Sequence, residues 1–242
     1  MSLSRGMYYL AAGRFKEAAV CFDRALSTKP DNVEALIGKA TALDRIGRFA
    51  DALPYLEKAI AADPKNVDAW FLQGSIFGRR GNMDEAIQCL QHVLDLAPSH
   101  IEAWYALGNC HYYRGEYEQA IGCYDRMIEL DDAYPKAWYN KGVVLMDMRR
   151  FGMALRCYDQ VLALNPGIAM VWTNKGFCYA QMGHYDEALE CFDMALGINP
   201  TDLTAMSNRA SALKQLGRDE EATAEMGRVV DRAAGRGPYS VM

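Results

Sequence analysis

Hydrophobic residues recur along this chain at spacings of three and four, in short blocks that glycine or proline brings to an end. Residues 169–202 show the pattern: Trp172 lies in a first block, Gly183 interrupts it, and Phe192 lies in a second block that ends before Pro200. Such spacings put side chains on one face of an α-helix. Glycine adopts the left-handed backbone that ends a helix, and proline cannot continue one. The pattern therefore predicts two amphipathic helices joined by a turn.

The same pattern repeats along the whole chain. Trp70, Trp104, Trp138 and Trp172 lie 34 residues apart, and a glycine follows each of them four residues later. A helix pair this short cannot bury its own hydrophobic face, so successive pairs must stack on one another. The sequence thus predicts a single all-α solenoid over residues 1–236 and a C-terminal tail over 237–242, with repeats at 1–32, 33–66, 67–100, 101–134, 135–168, 169–202 and 203–236.

The repeated residues resemble those of a known family. The stretch AWYNKGVVL at 137–145, followed by CYDQVLALNP at 157–166, resembles the tetratricopeptide repeat, with its tryptophan, glycine, tyrosine, alanine and proline at fixed offsets. The resemblance implies a right-handed superhelical solenoid of about seven helix-turn-helix repeats. It also implies a concave groove, lined by the first helix of each pair, that receives peptide segments.

Two residues depart from the repeated pattern. Arg149 stands where the other turns have glycine, and a residue with a side chain costs about 1–2 kcal/mol in a left-handed conformation. The turn MRRFG at 148–152 is therefore expected to be rearranged, with Gly152 relieving the strain. Pro54 lies inside a predicted second helix, which is expected to start late or to bend.

Part of each first helix has no packing role. If the helix packs through its fourth, eighth and eleventh residues, its second, fifth, ninth and twelfth residues face the groove and its sixth lies at the groove edge. Aromatic and amide side chains dominate these positions. The candidate peptide-binding residues are Phe71, Tyr105, Asn109, Tyr112, Tyr139, Asn140, Asn174, Phe177 and Asn208.

Asparagine recurs at the sixth position of three consecutive repeats, as Asn140, Asn174 and Asn208. Its side chain offers the acceptor and donors that a peptide unit needs. A spacing of about 10 Å between repeats matches every third residue of an extended chain that rises about 3.3 Å per residue. The row resembles the asparagine ladder in the repeat domain of O-linked N-acetylglucosamine transferases, which implies binding of a peptide backbone. Two alternatives to peptide binding remain open. In one, the asparagines only hydrogen-bond neighbouring residues; in the other, the tyrosines pack between helices.

The tryptophans and cysteines are interpreted as scaffold. A tryptophan at a repeated position acts as a large apolar plug between adjacent helix pairs. Cysteines in successive repeats are one helix spacing apart, about 8–10 Å, whereas a disulfide needs Cα atoms within about 7 Å. The seven thiols are therefore expected to be free and buried, as in a reducing compartment.

Composition and charge exclude several classes of partner. The net charge of −5 and the pI near 5.4 argue against nucleic acid, because that affinity depends on clustered lysines and arginines. No apolar run approaches the roughly 20 residues of a membrane-spanning helix, and the start of the chain lacks the pattern of a secretory signal. The prediction is a cytoplasmic protein with no nucleic-acid or membrane partner.

The sequence contains no recognisable catalytic or metal-binding motif. The four histidines are scattered, no CxxC or CxxH pair supplies metal-ligand spacing, and no GxSxG, HExxH or phosphate-loop pattern occurs. We therefore expect no catalytic residue, no cofactor and no metal. The expected function is that of a non-enzymatic scaffold that binds an extended peptide segment of a protein partner.

Two alternative functions stay open on the sequence alone. The chain could self-associate through uncapped solenoid ends, since natural arrays usually close with a polar capping helix. The residues after Val229 and Val230 read DRAAGRGPYSVM, which offers no such helix, and the tail PYSVM could dock into a neighbour's groove. The chain could also be the targeting arm of a larger multidomain protein.

Overall fold

A computed structural model describes residues 2–234, and over that range the chain forms fourteen α-helices and no strand. The predicted tail, residues 237–242, lies outside the described residues. The helices are α1 (Ser2–Ala11), α2 (Phe15–Thr28), α3 (Val33–Arg45), α4 (Phe49–Ala62), α5 (Val67–Arg79), α6 (Met83–Leu96), α7 (Ile101–Tyr113), α8 (Tyr117–Leu130), α9 (Pro135–Asp147), α10 (Phe151–Leu164), α11 (Ala169–Gln181), α12 (Tyr185–Ile198), α13 (Leu203–Gln215) and α14 (Asp219–Ala233).

Odd-numbered helices are the first helices of their repeats, and even-numbered helices are the second. Several first helices begin at a side-chain cap: Asn32, Asn66, His100 and Asp202 each accept a hydrogen bond from the backbone N–H three residues later. Such a cap satisfies one of the donors that a helix start leaves without an intrahelical partner. The caps fix where the first helices begin, and the repeat keeps them in register.

The chain divides into two compact units, Met1–Cys123 and Tyr124–Met242. Within the first unit, each helix from α1 to α7 packs against the next, and within the second the same holds from α9 to α14. First helices also contact each other directly, as α1 with α3, α3 with α5, α5 with α7, and α11 with α13. Within each unit, first helices of successive repeats therefore lie side by side.

A small residue on each first helix allows the second helix to approach closely. A Cβ atom at Gly142 would lie 2.7 Å from Cε1 of Tyr158, and a Cβ atom at Gly176 would lie 2.7 Å from Cε1 of Phe192. Both rings are fully buried. These distances are too short for real carbon atoms, so the rings occupy the space that a larger residue would need.

The seven cysteines are free and buried, as the sequence predicts. Burial raises the pKa of Cys89 and Cys157 to about 11, and it raises the pKa of Cys123 and Cys178 to about 12. These thiols stay protonated at neutral pH and act as small apolar side chains in the core.

The turn at Arg149 keeps the geometry of the other turns, so the expected rearrangement is wrong. The six turn glycines have φ between 71° and 82°, and Arg149 itself takes φ 58°. Its N–H donates to Met146 at 2.9 Å, as the N–H of Gly47 donates to Asp44 at 2.9 Å. The arginine adopts the left-handed conformation because the flanking helices impose the same turn in every repeat.

Pro54 does not delay its helix. Helix α4 begins at Phe49 and contains Pro54. Its start lies at the same position of the repeat as the starts of α2 at Phe15 and α10 at Phe151. The proline lies at the sixth residue of the helix, so it removes one backbone donor near the helix start.

No described helix combines the length and apolar character needed to cross a bilayer.

The contact between glycine and ring leads to a prediction for Gly176→Ala. Alanine favours a helix by about 1 kcal/mol over glycine, but here its methyl group would overlap the buried ring of Phe192. Overpacking costs about 1–3 kcal/mol, so urea unfolding should show a net loss of stability. Gly197→Ala is the control, because nothing lies within 4 Å of its added Cβ atom, and it should stabilise the protein. Equal stabilisation by both variants would contradict close packing at Gly176.

The left-handed conformation of Arg149 leads to a second prediction. Arg149→Gly should raise the free energy of unfolding by about 0.5–1 kcal/mol, because relief of the strained backbone exceeds the extra entropy of glycine in the unfolded chain. Thermal melting measures the change. The matched control, Gly183→Arg, places the same side chain at an equivalent turn and should destabilise the protein by a similar amount. A melting temperature for Arg149→Gly at or below that of the native chain would refute the prediction.

Candidate functional site

The nine candidate residues all lie on first helices, and all nine are half-buried. Each is therefore partly open to solvent and partly packed against the scaffold. Phe71 lies on α5; Tyr105, Asn109 and Tyr112 on α7; Tyr139 and Asn140 on α9; Asn174 and Phe177 on α11; and Asn208 on α13.

In the first unit, Tyr105 and Asn109 line a pocket of about 520 Å³ with Ser75. Gly74 and Gly78 of α5 also line it, together with side chains of α6 and α7. The two glycines add no side chains to the α5 wall, where only Ser75 and Arg79 do, and this leaves space in the pocket. Most of the remaining lining is apolar, so the pocket suits a large hydrophobic side chain.

Phe71 and Tyr112 do not line this pocket. The ring of Phe71 lies 4.7 Å from the ring of His100, whose Nδ1 caps α7. The ring of Tyr112 lies 5.5 Å from that of Tyr113 and 6.0 Å from that of Tyr117. Both candidates are thus held in aromatic contacts beside the pocket.

In the second unit, Tyr139 and Asn174 contact each other between α9 and α11. The Nδ2 atom of Asn174 donates to the hydroxyl oxygen of Tyr139 at 3.4 Å. The ring of Tyr139 also lies 6.4 Å from that of Tyr158. Burial raises the pKa of the Tyr139 hydroxyl, and the hydrogen bond from Asn174 opposes this shift in part. The pair joins two successive first helices at the candidate surface.

The three asparagines of the row have different neighbours. Asn140 donates from Nδ2 to the carbonyl oxygen of Lys136, one turn earlier on α9, at 2.8 Å. Asn174 bonds the next helix through Tyr139. Asn208 lines a cavity of about 250 Å³ with Phe177 and Ser211. The repeat places them at equivalent positions but does not give them equivalent hydrogen bonds.

Each tryptophan also makes a hydrogen bond that the sequence analysis missed. The indole Nε1 of Trp70 donates to the carbonyl oxygen of Pro64 at 2.9 Å, and that of Trp104 donates to Pro98 at 2.8 Å. Trp138 and Trp172 bond the residues six positions earlier in the same way. The tryptophans are half-buried and fasten the loop that leads into each first helix. The signal in the sequence was the six-residue interval between proline and tryptophan, which three repeats keep and which Asp132 interrupts before Trp138.

A row of ion pairs between repeats was also missed. In four places a cation on a first helix pairs with an aspartate sixteen residues earlier, on the preceding second helix. The signal was present in the sequence as a recurring aspartate and cation at that interval. The pairs are Lys39–Asp23, Lys141–Asp125, Lys175–Asp159 and Arg209–Asp193.

The described residues present no cluster suited to a metal. Within residues 2–234, no three His, Cys, Asp or Glu side chains converge on a common point. His111 pairs with Glu116 at 2.6 Å and His100 caps α7, so both have roles in the scaffold. The chemistry of the site therefore consists of amides, hydroxyl groups and aromatic rings.

Comparison with solved structures finds the same fold. The chain resembles MamA with 28% identity and a TM-score of 0.64, over 66% of this chain and 94% of MamA. YrrB, a tetratricopeptide-repeat protein with an unusual peptide-binding site, is 23% identical with a TM-score of 0.67, over 76% of this chain and 95% of YrrB. A tetratricopeptide repeat protein from Parabacteroides merdae is 16% identical with a TM-score of 0.72, over 99% of this chain and 93% of that protein. These neighbours confirm the predicted class, an all-α solenoid of about seven helix pairs.

Models of known protein families identify the family of this chain from its sequence. Among curated proteins, none matches the chain. Models of the tetratricopeptide repeat match residues 3–67 and 37–101, and a second model of the same repeat matches 101–134, 135–168 and 169–202. Together these matches extend over most of the sequence, so the chain belongs to the tetratricopeptide repeat family.

Proposed function

We propose that this protein is a non-enzymatic scaffold that binds an extended peptide segment of a partner protein along the surface of its first helices. The pocket of about 520 Å³ beside Tyr105 and Asn109 carries the proposal. Its size and apolar lining suit one large hydrophobic side chain of the bound segment. The similarity to YrrB, which has a peptide-binding site, is consistent with this use of the fold.

The asparagine row is proposed to hold the peptide backbone. The Nδ2 atoms of Asn140 and Asn174 donate to Lys136 and Tyr139, and these bonds orient the side chains. Each amide oxygen then serves as an acceptor for a backbone N–H of the ligand. Because the row contacts the ligand backbone, it provides affinity in the second unit, and the pocket provides a preference for a hydrophobic side chain in the first unit.

The thiols do not favour an enzymatic role. A nucleophilic cysteine needs a lowered pKa and access to solvent. Here burial raises the pKa of Cys89 to about 11 and that of Cys178 to about 12. The family consists in general of binding scaffolds, and the seven free thiols are consistent with a cytoplasmic location.

Peptide binding predicts a loss of affinity without a loss of folding. The probe is a peptide of about ten residues, long enough to pass three repeats, selected from a random library on the native chain. Asn140→Ala, Asn174→Ala and Asn208→Ala together should weaken its binding at least about tenfold, since each lost hydrogen bond contributes about 0.5–1.5 kcal/mol. Fluorescence anisotropy measures the affinity, and the melting temperature should change by less than about 3 °C.

A second pair of variants tests the pocket, with a second peptide from the same library whose binding the triple asparagine variant leaves unchanged. Gly78→Leu places bulk in the pocket, and a Cβ atom there would lie no closer than 3.5 Å to another atom, so the helix should fold normally. Gly122→Leu is the control, because it lies on exposed surface of α8 with nothing within 4 Å. Only Gly78→Leu should weaken binding. Equal affinity in both variants, or a large drop in melting temperature for the triple asparagine variant, would assign these residues to packing instead.

Self-association is a second candidate function, favoured by the last described helix. Met226 and Val230 of α14 are 43% and 59% exposed, which gives an apolar surface that a second copy of the chain can bury.

The self-association hypothesis predicts a mass above 27.0 kDa that rises with concentration in light scattering, and Val230→Glu should return it to the monomer. A monomeric mass for the native chain at every concentration would exclude it.

A further inference from the structure

The turn between α9 and α10 differs in charge from the other turns between paired helices. Every other described second helix carries at least one acidic residue in its first turn, whereas α10 carries none. The acidic residues of the other helices are Glu17, Asp51, Asp84, Glu85, Glu118, Asp186, Glu187, Asp219, Glu220 and Glu221.

Neutral residues replace these acids in the sequence MRRFGMALR at 148–156, which also contains three arginines. Arg149 takes the position of the turn glycine, and Arg156 takes the position that Glu190 holds in the next repeat. Met153 takes the position of Glu17 and Glu187. Seven repeats of one pattern thus provide an internal comparison, and this turn alone combines added cations with lost acids.

The substituted residues form one surface. Arg149, Arg150 and Arg156 line a depression of about 440 Å³ whose other walls include Phe151, Met153 and Met182. The two methionines are 42% and 44% exposed, and the Arg149 guanidinium carbon lies 6.0 Å from the centroid of the Phe151 ring. We call this surface the arginine depression. It combines positive charge at its edge with an accessible apolar floor.

Two of the three arginines have no acidic partner within the described chain. Arg149 and Arg156 form no ion pair with any residue from 2 to 234. The arginines that precede other second helices, at the repeat position of Arg150, pair with the acid three residues later: Arg14 with Glu17 at 2.8 Å, Arg48 with Asp51 at 2.7 Å, and Arg218 with Glu221 at 2.7 Å. Helix α10 has Met153 at the position of that acid. The charge of Arg149 and Arg156 is therefore available to a partner.

We propose that the arginine depression docks an acidic segment of a partner protein, with carboxylates on the arginines and one apolar side chain on Met153 and Met182. Arginine forks match carboxylate geometry, and methionine adapts to different apolar side chains. The surface lies on the turn before α10, on α10 and on Met182 after α11. It shares no residue with the proposed peptide site, and the two meet only where the ring of Phe151 lies 6.5 Å from that of Phe177. It is a second docking surface with its own partner chemistry.

A short acidic segment fits better than a long polyanion. The chain has a net charge of −5, and Asp186 and Glu187 follow Met182 closely at the start of α12. A nucleic acid or an anionic membrane would extend beyond the depression and meet these negative charges. A few carboxylates with one apolar residue can occupy the depression alone.

The test uses a fluorescein-labelled peptide, Glu-Glu-Leu-Glu-Glu, with the full chain at low salt, where exposed charges are least screened. The native chain should bind it, and Arg149→Gly with Arg156→Gln should weaken binding about tenfold or more, the usual effect of losing a central arginine contact. The control is Arg48→Gln with Arg218→Gln, which removes the same formal charge from two arginines already in ion pairs. It should bind the peptide as the native chain does.

Arg149→Gly alone separates docking from folding. This variant should melt at a higher temperature than the native chain and still bind the acidic peptide more weakly, an outcome that loss of structure cannot produce. The triple asparagine variant should bind this peptide normally, so failure of the groove proposal would not affect the result. No binding by the native chain, equal loss in the control pair, or tighter binding of phosphatidylserine vesicles or an oligonucleotide than of the peptide would each overturn the proposal.

Discussion

The close approach of the two helices in each repeat is the constraint on which the rest of the structure depends. Phe192 and Tyr158 lie so near Gly176 and Gly142 that no added carbon fits between them. Because these contacts recur at one position per helix, they assign the packing face of each first helix. The other residues of that helix are then released from packing, and the partly open surface of amides and aromatic rings follows from this division.

Polar contacts add a second layer that holds successive repeats in register. The indole of Trp70 bonds the carbonyl oxygen of Pro64, which fixes the loop between one repeat and the next. Lys175 reaches back to Asp159 on the preceding second helix at 2.6 Å. Both side chains are only partly buried, so these bonds contribute less to stability than to the angle at which one helix pair meets the next.

The sequence predicted the helices well because packing decides them, and packing requires apolar residues at regular spacings of three and four along the sequence. It predicted less where backbone geometry or individual neighbours decide. At Arg149 the neighbouring helices impose a left-handed turn. The backbone strain of that single residue, considered alone, predicts a rearranged turn instead. Asn140 and Asn174 occupy equivalent positions, yet one bonds its own helix and the other bonds Tyr139, because residues around them differ between repeats. An equivalent position in the repeat predicts which way a side chain points, but it does not predict which residue that side chain hydrogen-bonds.

Departures from a strict repeat carry more information than departures in an irregular fold. Six turns use glycine, which adopts the left-handed backbone without strain, and the seventh keeps an arginine there at a cost in stability. The helix start after this turn has lost its acids and exposes Met153. Scaffold packing explains none of these three changes, since the helices on either side keep their normal register. A binding role for the turn explains them together. Because the turn and the first-helix surface use different residues, Arg149 and Arg156 can change without replacing any candidate residue of the peptide site or the close helix contacts beneath.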